Sequence, residues 1–379
     1  MNSMATHDTR TNPNLPDDII YLILSRLPVK SLLRFKTACK TWLSLISSRD
    51  FIKTHLFVSN NDPYYTHTHL LLRQWTFNFS YDFRTCSVHS LINEPYTKNM
   101  VNESGARTFK LNDIPSGNHS YVVGCCNGLI CLANNCEDKV IFLWNPSTRK
   151  SRILPEFDDL KFSSTKFGFC YDESNDDYKV FAIFDCYLGY KCKVAVYSSK
   201  SDVWRMIGDF HIGGVSYDGV KFANRAIHWV VRRSEHVESK IILSIDIQTE
   251  TFREVLLPGY EAGTVFIKLD TFGEKLIILT KYEKIRYTFW VLEKYGAEEC
   301  WRELFTIPLE ENGFLTLRTL LHQSPRLICI LVNGDVLLSL NSTIIYYNTK
   351  YNTYKELLGF RFGALEVCTY VESLVSPHL

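Results

Sequence analysis

Apolar residues recur at helical spacing between residues 15 and 46, then at the shorter period of strands from about residue 65 onward. Leu15, Ile19, Ile20, Ile23, Leu24 and Leu27 form one stripe. Pro16 suits the first position of a helix, where its missing N–H leaves no bond unmade. Asp17 and Asp18 follow where the helix dipole favours negative charge. Pro28 ends that helix and can open another. Val29, Leu32, Leu33, Phe35, Trp42, Leu43, Leu45 and Ile46 carry the pattern through one or two further short helices. The spacing predicts a helical unit over residues 13–60, preceded by a polar, mobile segment over 1–12. A unit this small rarely buries enough area to stand alone. It has two apolar faces: one packs the short helices together, and the other is left for a second protein to cover.

The remainder, residues 65–379, reads as strands in quartets. "YVVGCC", "LICLA", "KVIFLWN" and "KSRILP" form one set, "KFGFCYD", "YKVFAIF", "CKVAVYS" and "VWRMIG" the next, and three more follow. The last strand of most sets carries an aromatic–basic pair: Trp204-Arg205, Phe252-Arg253, Trp301-Arg302 and Tyr354-Lys355, with Ser151-Arg152 at the equivalent place in the first set. A repeat of about 50 residues with four strands per unit is the pattern of a kelch-like β-propeller. The aromatics are expected to pack between blades. Five sets leave both ends unpaired. "HLLLRQW", "FNFSYDF" and "TCSVHSL" supply three strands and "LEVCTYVESLV" the fourth, so the ring closes by joining its two ends. The count is six blades, with seven as the alternative. The fold class is α+β and multidomain: a small helical head on an all-β propeller.

Composition narrows the function. Lys and Arg number 42 against 41 Asp and Glu, and a formal net charge of +1 gives no global reason to bind nucleic acid or an anionic membrane. Twelve cysteines form no C-x-x-C pair. Cys125, Cys126, Cys131 and Cys136 are the densest group, but their spacing matches no common zinc pattern, and adjacent strand residues such as Cys125 and Cys126 point to opposite faces. They read as buried, reduced thiols. His67 and His69 could share a face, yet lack a nearby third ligand. No cofactor or metal is expected, and no phosphate-cradling loop, nucleophile elbow or dinucleotide fingerprint is present. Without a signal peptide or an apolar run long enough to span a membrane, the chain is expected in the cytosol or nucleus.

"LPDDIIYLILSRLPVKSLLRFKTACKTWLSLI", residues 15–46, resembles an F-box through its Leu-Pro start, its Arg-Leu-Pro-x-Lys-Ser-Leu centre and its Cys-Lys-x-Trp end. "LWNPSTRKSRILP", "FGFCYDESNDDYKVF", "VYSSKSDVWRMI", "AIHWVV" and "YVESLVSP" are similar to the F-box-associated domain of plant F-box proteins, within which the S-locus F-box and related subfamilies look nearest. Arg225, where Gly is common, and Cys170 depart from that pattern. The resemblance implies a Skp-type adaptor, and through it a cullin-based ubiquitin ligase, as partner. Leu15, Pro16, Ile19, Ile20, Ile23, Leu24, Leu27, Pro28, Leu32 and Leu33 would pack on the adaptor, and Trp42 and Ile46 would tie the later helix into the interface or the local core. It also implies a protein substrate: pistil ribonucleases for the S-locus group, immune receptors for other relatives.

The expected role is substrate recognition without bond chemistry. Two alternatives are a kelch-type propeller enzyme such as a copper oxidase, and an adaptor-bound interaction protein outside any working ligase. Links between second and third strands and between blades are the longer and more varied ones, and long loops on a rigid scaffold are where binding usually sits. They hold anchors and charges suited to an interface: Tyr187, Tyr190, Arg232, Arg233, Glu235, Glu310 and Phe314.

Overall fold

The computed structural model describes residues 15–75, 81–93, 109–110, 120–134, 140–157, 165–186, 191–211, 219–232, 240–259, 262–283, 285–295, 300–309, 324–340, 342–359 and 365–378. Four helices form the head: α1 (Asp17–Leu24), α2 (Val29–Phe35), α3 (Lys40–Ser47) and α4 (Arg49–Asn60). Pro16 and Pro28 stand one place earlier than predicted, just outside α1 and α2, where their carbonyls accept the first helical hydrogen bonds from Ile19, Ile20, Ser31 and Leu32. Ser48 caps α4 by accepting from the Phe51 N–H.

Six four-stranded antiparallel sheets follow. Blade 1 is built from both ends of the β body: β1 (Thr68–Trp75), β2 (Tyr81–Ser87), β3 (Phe109–Lys110) and the last strand, β24 (Leu365–Val371), in the order β24-β1-β2-β3. Blade 2 holds β4 (Ser120–Cys126), β5 (Leu129–Asn134), β6 (Ile141–Asn145) and β7 (Lys150–Ile153). Blade 3 holds β8 (Thr165–Asp172), β9 (Asp177–Cys186), β10 (Lys191–Ser198) and β11 (Val203–His211). Blade 4 holds β12 (Lys221–Ala223), β13 (Ala226–Arg232), β14 (Lys240–Asp246) and β15 (Phe252–Val255). Blade 5 holds β16 (Thr264–Phe272), β17 (Lys275–Tyr282), β18 (Arg286–Lys294) and β19 (Cys300–Pro308). Blade 6 holds β20 (Arg326–Ile330), β21 (Val336–Leu340), β22 (Thr343–Asn348) and β23 (Thr353–Gly359). The innermost strands β24, β4, β8, β12, β16 and β20 touch in succession and return to β24, closing the ring.

The expected third N-terminal strand is corrected. "TCSVHSL" finishes β2 and then turns into a short helix, α5 (Val88–Asn93), whose Val88 and Leu91 are buried between blades 6 and 1. The third strand of blade 1 is β3, further along the chain.

The middle strands read as continuous apolar runs because each blade is covered on both faces. In β5, Ile130 and Leu132 pack toward blade 1 with Leu71 and Phe83, while Leu129, Cys131 and Ala133 pack toward blade 3 with Phe167 and Phe169. Such a core fills every junction around the ring. The outer-strand pairs link neighbours. Trp204 Nε1 donates to the Pro155 carbonyl of blade 2 at 3.0 Å, and Trp301 Nε1 to Leu256 of blade 4 at 2.7 Å. Arg152 reaches Asp202 and Arg205 reaches Glu250, each in the third-to-fourth turn of the next blade. Phe252 and Tyr354 are more exposed, at 37% and 44%, with the Phe252 ring lying over Gly208 of blade 3. Arg225 adopts a left-handed φ of 60°, the conformation that explains why Gly is common there, and its guanidinium bonds Ser174 and Gln248.

His228 of β13 is fully buried, its Nε2 3.0 Å from the Tyr295 hydroxyl. Burial drives it down to about 3, against backbone hydrogen bonds that act the other way. The folded state therefore keeps His228 neutral where the unfolded chain, with an ordinary imidazole near 6.5, binds a proton. Its contribution is complete above about pH 6.5 and is lost as pH falls toward about 3, amounting to roughly 5 kcal/mol at the acid limit. Thermal melts should show the midpoint falling with acidification through that window, and His228→Gln should flatten the slope. An unchanged slope in the variant would mean that other groups set the acid sensitivity.

Candidate functional site

The exposed apolar surface of the head is the candidate docking site. Leu24, Val29, Leu32, Ile46 and Phe51 close the head's own core, joined by Leu374 from the far end of the chain. Leu15, Pro16, Ile19, Ile23 and Pro28 point outward, with Leu15, Ile19 and Ile23 all more than two-fifths exposed. Ile20, Leu27, Leu33 and Trp42 are half-buried against the core. The side chains of Leu24 and Leu32 are enclosed within the head, and Ile46 lies in the local core, one of the two places expected for it. Two residues were missed: Leu22 of α1 and Leu43 of α3, each about half exposed at 47% and 48%. Leu22 lies beside the predicted stripe, and Leu43 belongs to the apolar pattern of the later helices. Arg26, Lys30, Arg34 and Lys40 are exposed on the head, as are Asp17 and Asp18 at the start of α1.

The head is tied to the propeller at one end of the ring. Strands in a blade alternate direction, so first-to-second and third-to-fourth turns share one end. Arg49 and Lys53 of α4 pair there with Asp176, in the turn between β8 and β9. The C-terminal tail runs across the same end. Glu372 accepts from the Val29 N–H at 3.1 Å, capping α2, and pairs with His69 at 3.1 Å. Burial would raise the Glu372 carboxyl, but His69 and the Val29 N–H hold it below the usual range. Asn145 Nδ2 donates to the Ser373 and Val375 carbonyls at 3.0 and 2.7 Å. Buried His55 of α4 donates its Nε2–H to the Leu27 carbonyl, 2.9 Å away, and packs edge-on against His67.

The links between second and third strands and between blades leave from the opposite end. Tyr187, Tyr190, Arg233, Glu235, Glu310 and Phe314 lie outside the described residues, as does the side chain of Arg232, which closes β13 at that end. Among the described residues, no three His, Cys, Asp or Glu side chains come together as a metal ion would require, and no helix is long and apolar enough to cross a membrane.

A helical head carrying an outward apolar strip is thus anchored to a six-bladed propeller. The match to known families agrees. The model of the F-box associated beta propeller domain matches residues 77–377 and that of the F-box domain residues 13–54, and the chain belongs to this family of F-box proteins. An F-box/kelch-repeat protein of Arabidopsis thaliana is 29% identical over 99% of both chains. A second Arabidopsis F-box protein is 27% identical, covering 91% of this chain and 87% of its own. The Arabidopsis F-box protein CPR1 is 28% identical, covering 87% and 80%.

Proposed function

We propose that this chain is the substrate-recognition subunit of a Skp–cullin–F-box ubiquitin ligase. The observation that carries the reading is the exposed strip of Leu15, Ile19, Leu22, Ile23 and Leu43, left uncovered although the rest of the head is anchored to the propeller. A partner covering such a strip removes apolar area from water. The helical unit of 13–60 docks on the Skp-type adaptor, and the propeller of 65–379 holds a protein substrate at the end remote from the head. The chain then catalyses nothing itself. It supplies proximity, turning a bimolecular transfer of ubiquitin into a local one. Tyr187, Tyr190, Arg232, Arg233, Glu235, Glu310 and Phe314 remain the proposed substrate contacts, and the proposed substrate is a protein such as a pistil ribonuclease, as in the S-locus group, or an immune receptor, as in other relatives.

Co-expression with a plant Skp adaptor and cullin, followed by size-exclusion chromatography, tests the reading. A complex containing all three is expected. Adaptor without cullin would favour an interaction protein outside the ligase, and no adaptor at all would overturn the proposal.

A further inference from the structure

At the junction of blades 1 and 2 the innermost strands β24 and β4 lie side by side without ladder pairing. Strand alternation turns Cys368 and Cys125 into the same packed space, beside Leu71, Ile130 and Tyr370, while Cys126 turns to the opposite junction. Each thiol is the first influence on the other's charge, both residues are half-buried, and the Cys368 Sγ–H donates to the Thr369 carbonyl at 3.5 Å. Arg326 and Lys221 stand near Cys368, and the same two cations hold Asp270 at 2.9 and 3.0 Å.

The pair is electrostatically asymmetric. The hydrogen bond from Cys125, with Arg326 and Lys221, holds the Cys368 thiol below the ordinary range against the effect of burial. That same bond, and burial, push Cys125 up. Burial is the largest influence on two other thiols, Cys126 and Cys329, and pushes each up to about 12 against a backbone hydrogen bond that acts the other way. One thiol favoured as thiolate beside a second that can resolve it is the arrangement of a reactive pair.

We propose that Cys125 and Cys368 form a reversible redox modification site, at which a hydroperoxide staples the ring-closing strand to blade 2. The Cys368 thiolate attacks one peroxide oxygen. The O–O bond breaks, hydroxide leaves and becomes water with the proton released from Cys368, and Cys368 carries a sulfenic acid. Cys125 sulfur then attacks that sulfur. The S–O bond breaks, and the departing hydroxide takes the Cys125 proton to form a second water. Two thiols are oxidised by two electrons and one peroxide is reduced. A dithiol reverses the bond by exchange. The crosslink fastens the strand whose continuation carries Glu372 and Leu374 into the head, and it spans most of the propeller sequence, where a disulfide restricts the unfolded chain most.

The test uses the full chain treated with hydrogen peroxide, its free thiols blocked with iodoacetamide, and digestion without reduction. The expected result is a linked Cys125–Cys368 peptide as the dominant crosslink, lost on adding dithiothreitol, with a melting midpoint raised by on the order of 5 °C. In Cys125→Ser, dimedone should label Cys368, since the sulfenic acid has no resolving partner. In Cys368→Ser neither crosslink nor label should form at Cys125. Oxidised wild-type chain in which Cys368 stays reduced, or is joined to a different cysteine, overturns the proposal whether or not the variants fold.

Discussion

A chain ending at residue 364 is expected to be insoluble, or to melt without a cooperative transition. The deletion removes β24, which pairs with β1 from Thr68↔Val371 to Gln74↔Leu365 and stands between β20 and β4 in the inner ring. Without it, β1 presents an unpaired edge to the channel and the ring has a gap one strand wide. Val367, Tyr370, Leu374 and Val375 are buried, and each contributes roughly 1.5–3 kcal/mol by burial. Their sum is comparable with the whole stability of a typical domain, about 5–15 kcal/mol. Polar groups are orphaned as well. Asn145 Nδ2 loses both carbonyl acceptors while buried, and the α2 N-terminus loses Glu372. Light scattering and a thermal melt against the full chain decide it. A soluble truncated protein with a normal melting curve would show that β24 does not close the ring.

Most of this closure was legible because a propeller strand is buried on both faces, and runs such as "LICLA" and "KIILSIDI" announce themselves without alternation. The unpaired first and last sets then implied each other. The misread piece shows the limit. In "TCSVHSL", Cys86 and Val88 fit a strand period, yet Val88 and Leu91 fit a helical one equally, and the core between blades 6 and 1 takes the helical option. The docking stripe was legible as a stripe but not as two sides. Ile23 and Leu24 are neighbours in sequence, and which faces inward depends on a core shared by three further helices and by Leu374, hundreds of residues away. The meeting of Cys125 with Cys368 was hidden for the same reason, since spacing reports only local partners.

That division of the stripe sets the sharpest test of the docking surface. Ile19→Asp with Ile23→Asp should weaken capture of a Skp-type adaptor at least about 100-fold while leaving the melting midpoint nearly unchanged. Both side chains are already in contact with water, at 42% and 48% exposure, so new carboxylates are readily solvated in the free chain. Pressed into an apolar interface, each carboxylate must be desolvated without a partner, a penalty of several kcal/mol that the complex avoids only by opening. A loss of about 2.7 kcal/mol is already a factor of about 100 in affinity. Leu32→Asp is the contrast. Its side chain is fully enclosed with Val29, Ile46 and Phe51, so the head should unfold, and adaptor binding should vanish together with α-helical signal. Surface plasmon resonance on immobilised adaptor, paired with circular dichroism melts, separates the two losses. A double variant that binds like wild type would show that the outward face of α1 is not where the adaptor sits, and would move the search to α4, where Phe57 stands 69% exposed.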